Sequence, residues 1–209
     1  MENTRERILD VAERLFAEQG FSGTSLRQIT GSADANLAAV NYHFGSKEQL
    51  IAEVFSRRFE PINALRLRLL DVLEADERPP TVEEIVEVFL DPPLRACLDP
   101  ERGESLLHIS QMIGHAMSRP DSTVRDVLLE QFEEIIQRFT QALGRQLDHL
   151  PPDQLLWRFV FMIGAMAHTM SISPELKILS KGLCDPADTE ELVGAMVPFV
   201  AAGFRAPAP

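Results

Sequence analysis

Cysteine is scarce in this 209-residue chain. Cys97 and Cys184 are the only two, too few for a disulfide framework and not at the spacing of a zinc site. Long apolar runs are missing as well. The longest uncharged stretch of consequence, residues 159–174, has 16 residues, against the roughly 18–20 that a membrane span needs. The opening Met-Glu-Asn-Thr-Arg-Glu-Arg has no apolar segment of the kind a secretory leader carries. The expected compartment is therefore the cytoplasm, with no membrane partner. Basic residues are outnumbered, 20 against 32 acidic, for a net charge of −12. At first sight that disfavours a nucleic-acid partner. No internal repeat is present, and residues 206–209 form the one biased segment. The chain shows no phosphate loop, paired-carboxylate motif, nucleophile–base pairing or metal signature. An all-helical enzyme is thus the weaker alternative, and no cofactor or metal is expected.

What is present is an ordinary globular composition, 45% hydrophobic and 25% charged. The acidity is uneven. Residues 1–60 hold 7 Lys/Arg against 9 Asp/Glu, whereas residues 61–209 hold 13 against 23. The N-terminal quarter is nearly neutral, so any phosphate-binding surface has to be a small local patch there.

Apolar residues recur at three- and four-residue steps and no stretch alternates with period two, which predicts helices throughout. Ile8, Leu9, Ala12, Leu15 and Phe16 form the first stripe, behind a capping pattern of Asn3 with Glu6. Gly20 is placed to end that helix in the left-handed conformation, with Phe21 packing back. Thr24 is expected to cap a short helix bearing Leu26 and Ile29, and Asn36 another over residues 37–43. Ser46 with Gln49 opens a long helix reaching residue 73 or 74, with Pro61 inside it. Further helices are predicted at 82–98, 104–118, 122–148, 153–172 and 189–204, capped by Thr81 and Asp188 at the first and last of these. The fold class is all-α, with about nine helices.

Residues 24–47 are the most specific segment. Two short helices, the first ending near Ser32 and the second starting after Asn36, match a helix-turn-helix. Ala33 is small enough for the helices to cross closely, and Asp34 tolerates a left-handed backbone better than most residues. Helix lengths alone fit a plain helical hairpin equally well. Residue identity decides between them. The run Asn36-Leu-Ala-Ala-Val-Asn-Tyr-His-Phe-Gly-Ser-Lys-Glu-Gln-Leu50, with Leu15-Phe16-Ala17-Glu18-Gln19-Gly20-Phe21, Thr24-Ser25 and Ile29, resembles the DNA-binding domain of the TetR family of transcriptional regulators. The departure is Asp34, where that family commonly has glycine.

The resemblance implies a three-helix DNA-binding domain over residues 1–47 and a helical ligand-binding and dimerisation domain over 48–209. It also implies that the helix from Leu37 enters the major groove of double-stranded DNA. Leu37 and Ala38 could then touch thymine methyls, and Asn41 an adenine edge or phosphate. Tyr42 suits a phosphate oxygen, the alternative being a core aromatic. His43 either contacts phosphate or fills space. Lys47 stands in the first turn of the long helix, where the dipole disfavours a cation, so a phosphate shared by Lys47, Tyr42 and that helix start would explain it. Thr24 and Ser25 can bind phosphate in the same way, and Arg27 either reaches the groove edge or is a solvated surface residue.

One short helix makes too few contacts for specific binding, so a homodimer on a palindromic operator is expected. Residues 159–170 are almost wholly apolar and the 189–204 segment nearly so. Phe161, Gly164, Ala165, His168, Val193, Met196, Val197 and Val200 are the candidate interface residues, with Gly164, Ala167 and Ser171 a small-residue row. Met162, Met166 and Met170 share a helix face. Such a stripe is either core or the wall of a cavity for an adaptable apolar guest. With Met112, Trp157, His108, Gln111 and His115, and with Arg66 or Arg95 to meet a carboxylate, they make the candidate pocket. TetR-type proteins generally carry a cavity in these helices, and the long helix linking it to the DNA-binding helices is the natural lever. Residues 156–165 and 196–205 are similar to the PsrA-like branch, which responds to long-chain fatty acids or their CoA esters. The remaining alternative is a helical interaction module that does not bind DNA.

Overall fold

The computed structural model describes residues 4–98, 108, 112, 122–185 and 187–208. They contain ten helices: α1 (Thr4–Gln19), α2 (Leu26–Ser32), α3 (Leu37–Phe44), α4 (Lys47–Glu74), α5 (Val82–Leu98), α6 (Ser122–Glu130), α7 (Glu133–Gln146), α8 (Pro152–Ser171), α9 (Ser173–Leu179) and α10 (Thr189–Arg205). Among the described residues there is no strand, and no helix is long and apolar enough to cross a membrane. The Asn3 cap and most of the predicted 104–118 helix lie outside the described residues. The predicted 122–148 helix is interrupted at Gln131 and Phe132, giving α6 and α7. A short helix, α9, follows α8 where no helix was expected.

Several boundaries follow from local chemistry. Gly20 has φ +73° and its N–H bonds Phe16 O at 3.0 Å, while the Phe16 and Phe21 rings lie 5.3 Å apart, as the sequence predicts. Thr81 and Glu84 cap α5 reciprocally, with Thr81 N–H donating to the Glu84 carboxylate at 2.8 Å and Glu84 N–H to the Thr81 hydroxyl at 3.2 Å. Asp188 caps α10 by accepting from Glu191 N–H at 3.0 Å. Pro61 lies inside α4, as expected.

The chain forms two compact units. The first comprises residues 1–61 with 104–133. Its core is Ile8, Leu9, Ala12, Phe16, Ile29, Val40, Phe44, Leu50, Val54 and Phe55. Each fully buried phenylalanine here contributes about 1.5–3 kcal/mol. Rings run on from Phe21 to Phe55, Phe59 and Phe132 at centroid separations of 5.8, 5.8 and 4.8 Å. Beside this core, α1 is fastened to the start of α4 by ions. Arg57 donates to Asp10 and Glu13, both at 2.6 Å, and Arg58 donates to both oxygens of the buried Glu13 carboxylate.

The second unit comprises residues 62–103 with 134–209. Here α10 packs against α5 and α8. Phe89 sits between Phe139 and Phe159, at 5.2 and 5.0 Å. Val193, Met196, Val197, Val200, Ala201 and Phe204 are buried in this core. That corrects the expectation for Val193, Met196, Val197 and Val200: their three- and four-residue spacing is the stripe α10 turns inward, so they are not free to meet a second chain.

Pro92 and Pro93 lie inside α5, where proline cannot donate to the carbonyl four residues earlier. Arg66 supplies the missing donor. Its Nε bonds the Phe89 carbonyl, the acceptor Pro93 leaves without a helical partner, at 2.8 Å. The guanidinium is buried, stacks on the Phe89 ring at 4.0 Å and bonds Asn63 Oδ1 at 3.2 Å. Arg66→Leu should therefore destabilise the protein by about 1–3 kcal/mol in urea denaturation, the cost of a buried group left without its partner. In a Pro93→Ala background, which restores the helical N–H, the same change should cost measurably less. Equal losses in both backgrounds would show that the carbonyl is not what Arg66 serves.

Candidate nucleic-acid interface

The helix-turn-helix is built from caps and one left-handed residue. Ser25, rather than Thr24, caps α2: its hydroxyl accepts from Gln28 N–H at 3.3 Å, and Gln28 Oε1 accepts from Ser25 N–H at 2.8 Å. Helix α2 ends at Ser32, and the turn closes through Ala33 N–H to Ile29 O (2.9 Å) and Ala35 N–H to Thr30 O (3.0 Å). Asp34 has φ +47°, the left-handed conformation anticipated for it. Asn36 then caps α3, its Oδ1 accepting from Ala39 N–H at 2.8 Å. Gly45, at φ +77°, ends the helix with its N–H on Asn41 O at 3.1 Å.

This places two faces on an eight-residue helix. Val40 and Phe44 are buried, while Leu37, Ala38, Asn41 and Tyr42 are exposed side by side. Tyr42 is 85% exposed, so its ring is not a core aromatic. His43 is half-buried between the Tyr42 and Phe44 rings, at 5.0 and 6.1 Å. Arg27 is exposed on α2. Leu37, Ala38, Asn41 and Tyr42 are thus brought onto one surface, and His43, also predicted, is not among its exposed residues.

Two expected phosphate ligands are placed differently. Thr24 is 1% exposed, its hydroxyl donating to Leu15 O and Gly20 O at 3.0 and 2.9 Å. It ties the end of α1 to the start of the motif and cannot face an external anion. Lys47 is half-buried and its Nζ donates to Phe21 O, which accounts for a cation in the first turn of α4 without any ligand. The same helix start already carries an anion. The Glu48 carboxyl is held below its ordinary range by its own backbone N–H and by the Ser46 hydroxyl. Arg7 is a residue the sequence reading missed. From α1 its Nε reaches Ala33 O at 3.2 Å and a second nitrogen reaches Asp34 O at 3.3 Å. Nothing in the sequence marks a contact 26 residues distant.

The described candidate pocket residues belong some to the second unit and some to the first. Arg66 and Met166 meet, at 3.7 Å between nitrogen and sulfur, in the second unit, where Met162 is core. Met112 is buried and His108 half-buried in the first unit. Gln111 and His115 lie outside the described residues. Arg95 is exposed and paired with Asp91 at 2.6 Å, one helical turn back. Trp157 is exposed and stacked on Phe161 at 5.9 Å. These two therefore belong to the surface, because the buried side of α8 is the stripe of Leu155, Phe159 and Met162. No group of three metal-ligating side chains occurs among the described residues. Phe161, Gly164 and His168 are exposed on α8, with Ala165 half-buried.

Comparison with known proteins gives two family matches along the chain. Residues 8–54 match the family model for bacterial regulatory proteins, tetR family. Residues 87–203 match that for the tetracyclin repressor-like C-terminal domain. The HTH-type transcriptional regulator AcrR of Shigella flexneri is 29% identical over 161 residues, 75% of this chain and 71% of that protein. Among solved structures, the fatty acid degradation regulator FadR from Bacillus halodurans is similar with a TM-score of 0.67 at 13% identity, over 98% of each chain. The transcriptional regulator FadR from Bacillus subtilis, in complex with stearoyl-CoA, gives 0.65 at 13% identity, over 95% of this chain and 98% of that one. At such identities these two structures carry the fold alone.

The geometry separates fold from surface within the helix-turn-helix. Thr24→Val should destabilise the protein by about 1–3 kcal/mol, since two buried carbonyls lose their donor. Tyr42→Ala should change stability by less than about 0.5 kcal/mol, as expected for an exposed site. Thermal unfolding of both variants checks the contrast, and a reversed order would mean the burial pattern is wrong.

Proposed function

The chain belongs to the TetR family of bacterial regulatory proteins, a family of transcriptional regulators rather than enzymes, and on that basis we propose that it is a repressor that binds a palindromic operator as a homodimer. The observation that carries this is the division of α3, with Val40 and Phe44 inward and Leu37, Ala38, Asn41 and Tyr42 outward. Short outward residues let the helix backbone approach base edges, and the phenol at its C-terminal end lies at the height of the phosphates. Residues 1–47 are the DNA-reading part in this account and 48–209 the ligand-binding and dimerisation part. A cytoplasmic location goes with this role.

The second copy docks on the outer faces of α8 and α10. Leu156, Trp157, Val160 and Phe161 on α8 and Phe199 on α10 are between 49% and 72% exposed, a run of large apolar side chains that a lone subunit would leave in water. A Cβ added at Gly164, Gly194 or Gly203 meets nothing within 4 Å, so these positions leave room for close approach. Two recognition helices would then lie one helical turn of DNA apart, roughly 34–36 Å.

The effector is a small apolar or amphipathic molecule, in our reading a long-chain fatty acid or acyl-CoA as in the PsrA-like branch. The support is compositional: Met162, Met166 and Met170 on α8, with the buried Arg66 beside Met166. A relative of the same fold in complex with stearoyl-CoA is consistent with it. A ligand that prefers the DNA-incompetent conformer by about a hundredfold, roughly 2.7 kcal/mol, would release most operators.

The test is a gel shift at two salt concentrations, using the duplex that the full-length protein selects from a random-sequence library. Affinity should fall steeply with salt. Tyr42→Phe should weaken binding to every duplex by a similar factor, because a phosphate contact reads no base. Unchanged affinity would mean that Tyr42 is not a phosphate contact. Gly164→Leu, which meets open space in the single chain, should yield a folded monomer in sedimentation. A variant that remains dimeric would place the interface elsewhere.

A further inference from the structure

We propose that Arg7 is a positioning residue for DNA recognition, its guanidinium fixing the turn that sets α3 relative to α2; this rests on the DNA-binding reading above. The turn is the strained point of the motif. Asp34 is one of two non-glycine residues at positive φ among those described, and a side chain there is disfavoured relative to the ordinary helical region. The conformation persists only where its surroundings enforce it. Two inward bonds hold the turn from the helix side, Ala33 N–H to Ile29 O and Ala35 N–H to Thr30 O. Arg7 holds it from the other, bonding the consecutive carbonyls of Ala33 and Asp34 at 3.2 and 3.3 Å. A planar fork suits two adjacent acceptors, whereas an ammonium is a single point charge.

The fork is itself carried on a fixed base. One helical turn along α1 lie Asp10 and then Glu13, clamped by Arg57 and Arg58 of α4, and Arg5 donates to Glu53 at 2.6 Å. Ion pairs on α1 therefore anchor it to α4 while Arg7 projects to the turn. The outward face of α3 depends on that turn for its direction, since Ala35 and Asn36 alone separate Asp34 from the first residue of the helix. Arg7 acts on base recognition without touching DNA.

Two variants and two readouts test this on the full-length protein. The duplexes are the one wild type selects from the random library and a scrambled version of it. Arg7→Ala should lower affinity for the selected duplex about tenfold, the loss expected from removing charge-assisted bonds, while affinity for the scrambled duplex and the salt slope stay as they were. Arg7→Lys keeps the charge and loses the fork, so it should resemble Arg7→Ala. Asp34→Gly, which removes the cost of positive φ, should recover part of the loss in the Arg7→Ala background. Without DNA, hydrogen exchange at the Ala35 amide should quicken in Arg7→Ala, with the α1 core amides unchanged. The proposal is overturned if Arg7→Lys restores binding, or if both duplexes weaken together with a flatter salt slope, which would make Arg7 a phosphate ligand. It is also overturned if Ala35 exchange does not change. If wild type selects no duplex, the regulator reading fails and takes the recognition role with it, while exchange at Ala35 separately reports whether Arg7 holds the turn.

Discussion

The DNA-reading part of this protein depends on how a helix of two turns is held by two side chains. Val40 and Phe44 bury themselves against the first unit's core, and an eight-residue helix has no stability of its own in water. Its existence and its orientation are thus the same packing event. Because those residues are four apart they share one side, and Leu37, Ala38, Asn41 and Tyr42 are left on the other. The surface that faces outward is set by what must face inward.

Around that helix the first unit is braced mainly by polar contacts at its margins. Thr24 bonds two carbonyls at the end of α1, Lys47 bonds a third in the loop after it, and Arg7 bonds two in the turn. Each of these side chains belongs to a residue type usually associated with anions or solvent. Here each satisfies backbone acceptors that the short helices and tight turns leave open. The second unit uses the same device in its interior, where Arg66 occupies the carbonyl that Pro93 vacates. A short-helix architecture produces many such orphan groups, and long basic side chains reach them from elsewhere in the chain.

The contrast between α8 and α10 shows how periodicity can be read and still misassigned. Both helices are apolar on more than one side. The stripe through Val193, Met196, Val197 and Val200 is core, and the outer positions, Phe199 with Phe161 and Trp157, are the exposed ones. An apolar stripe suits a core and a dimer seam equally, so what the inner side of α10 meets could be assigned only once α5 was in place. Residue type suggested a pocket for Arg95 and Trp157, and both side chains are exposed in the single chain.

Local information was enough for much of the helix-turn-helix. The cap at Asn36, the glycine at 45 and the left-handed Asp34 are governed by neighbours within four residues, and the family resemblance rests on the same short-range pattern, whereas the cap of α2 is Ser25 and not the expected Thr24. The recurrence of apolar residues at three- and four-residue steps predicted the all-helical fold as well. What only the tertiary structure decided were the partners of Arg7, Thr24, Lys47, Glu13 and Arg66, and what the inner side of α10 meets. Most of those contacts join residues far apart in the chain, as Arg7 with Ala33 or Arg66 with Met166, and the stripe of α10 fits a core and a dimer seam alike. Their outcome depends on where other elements pack, which no local pattern encodes.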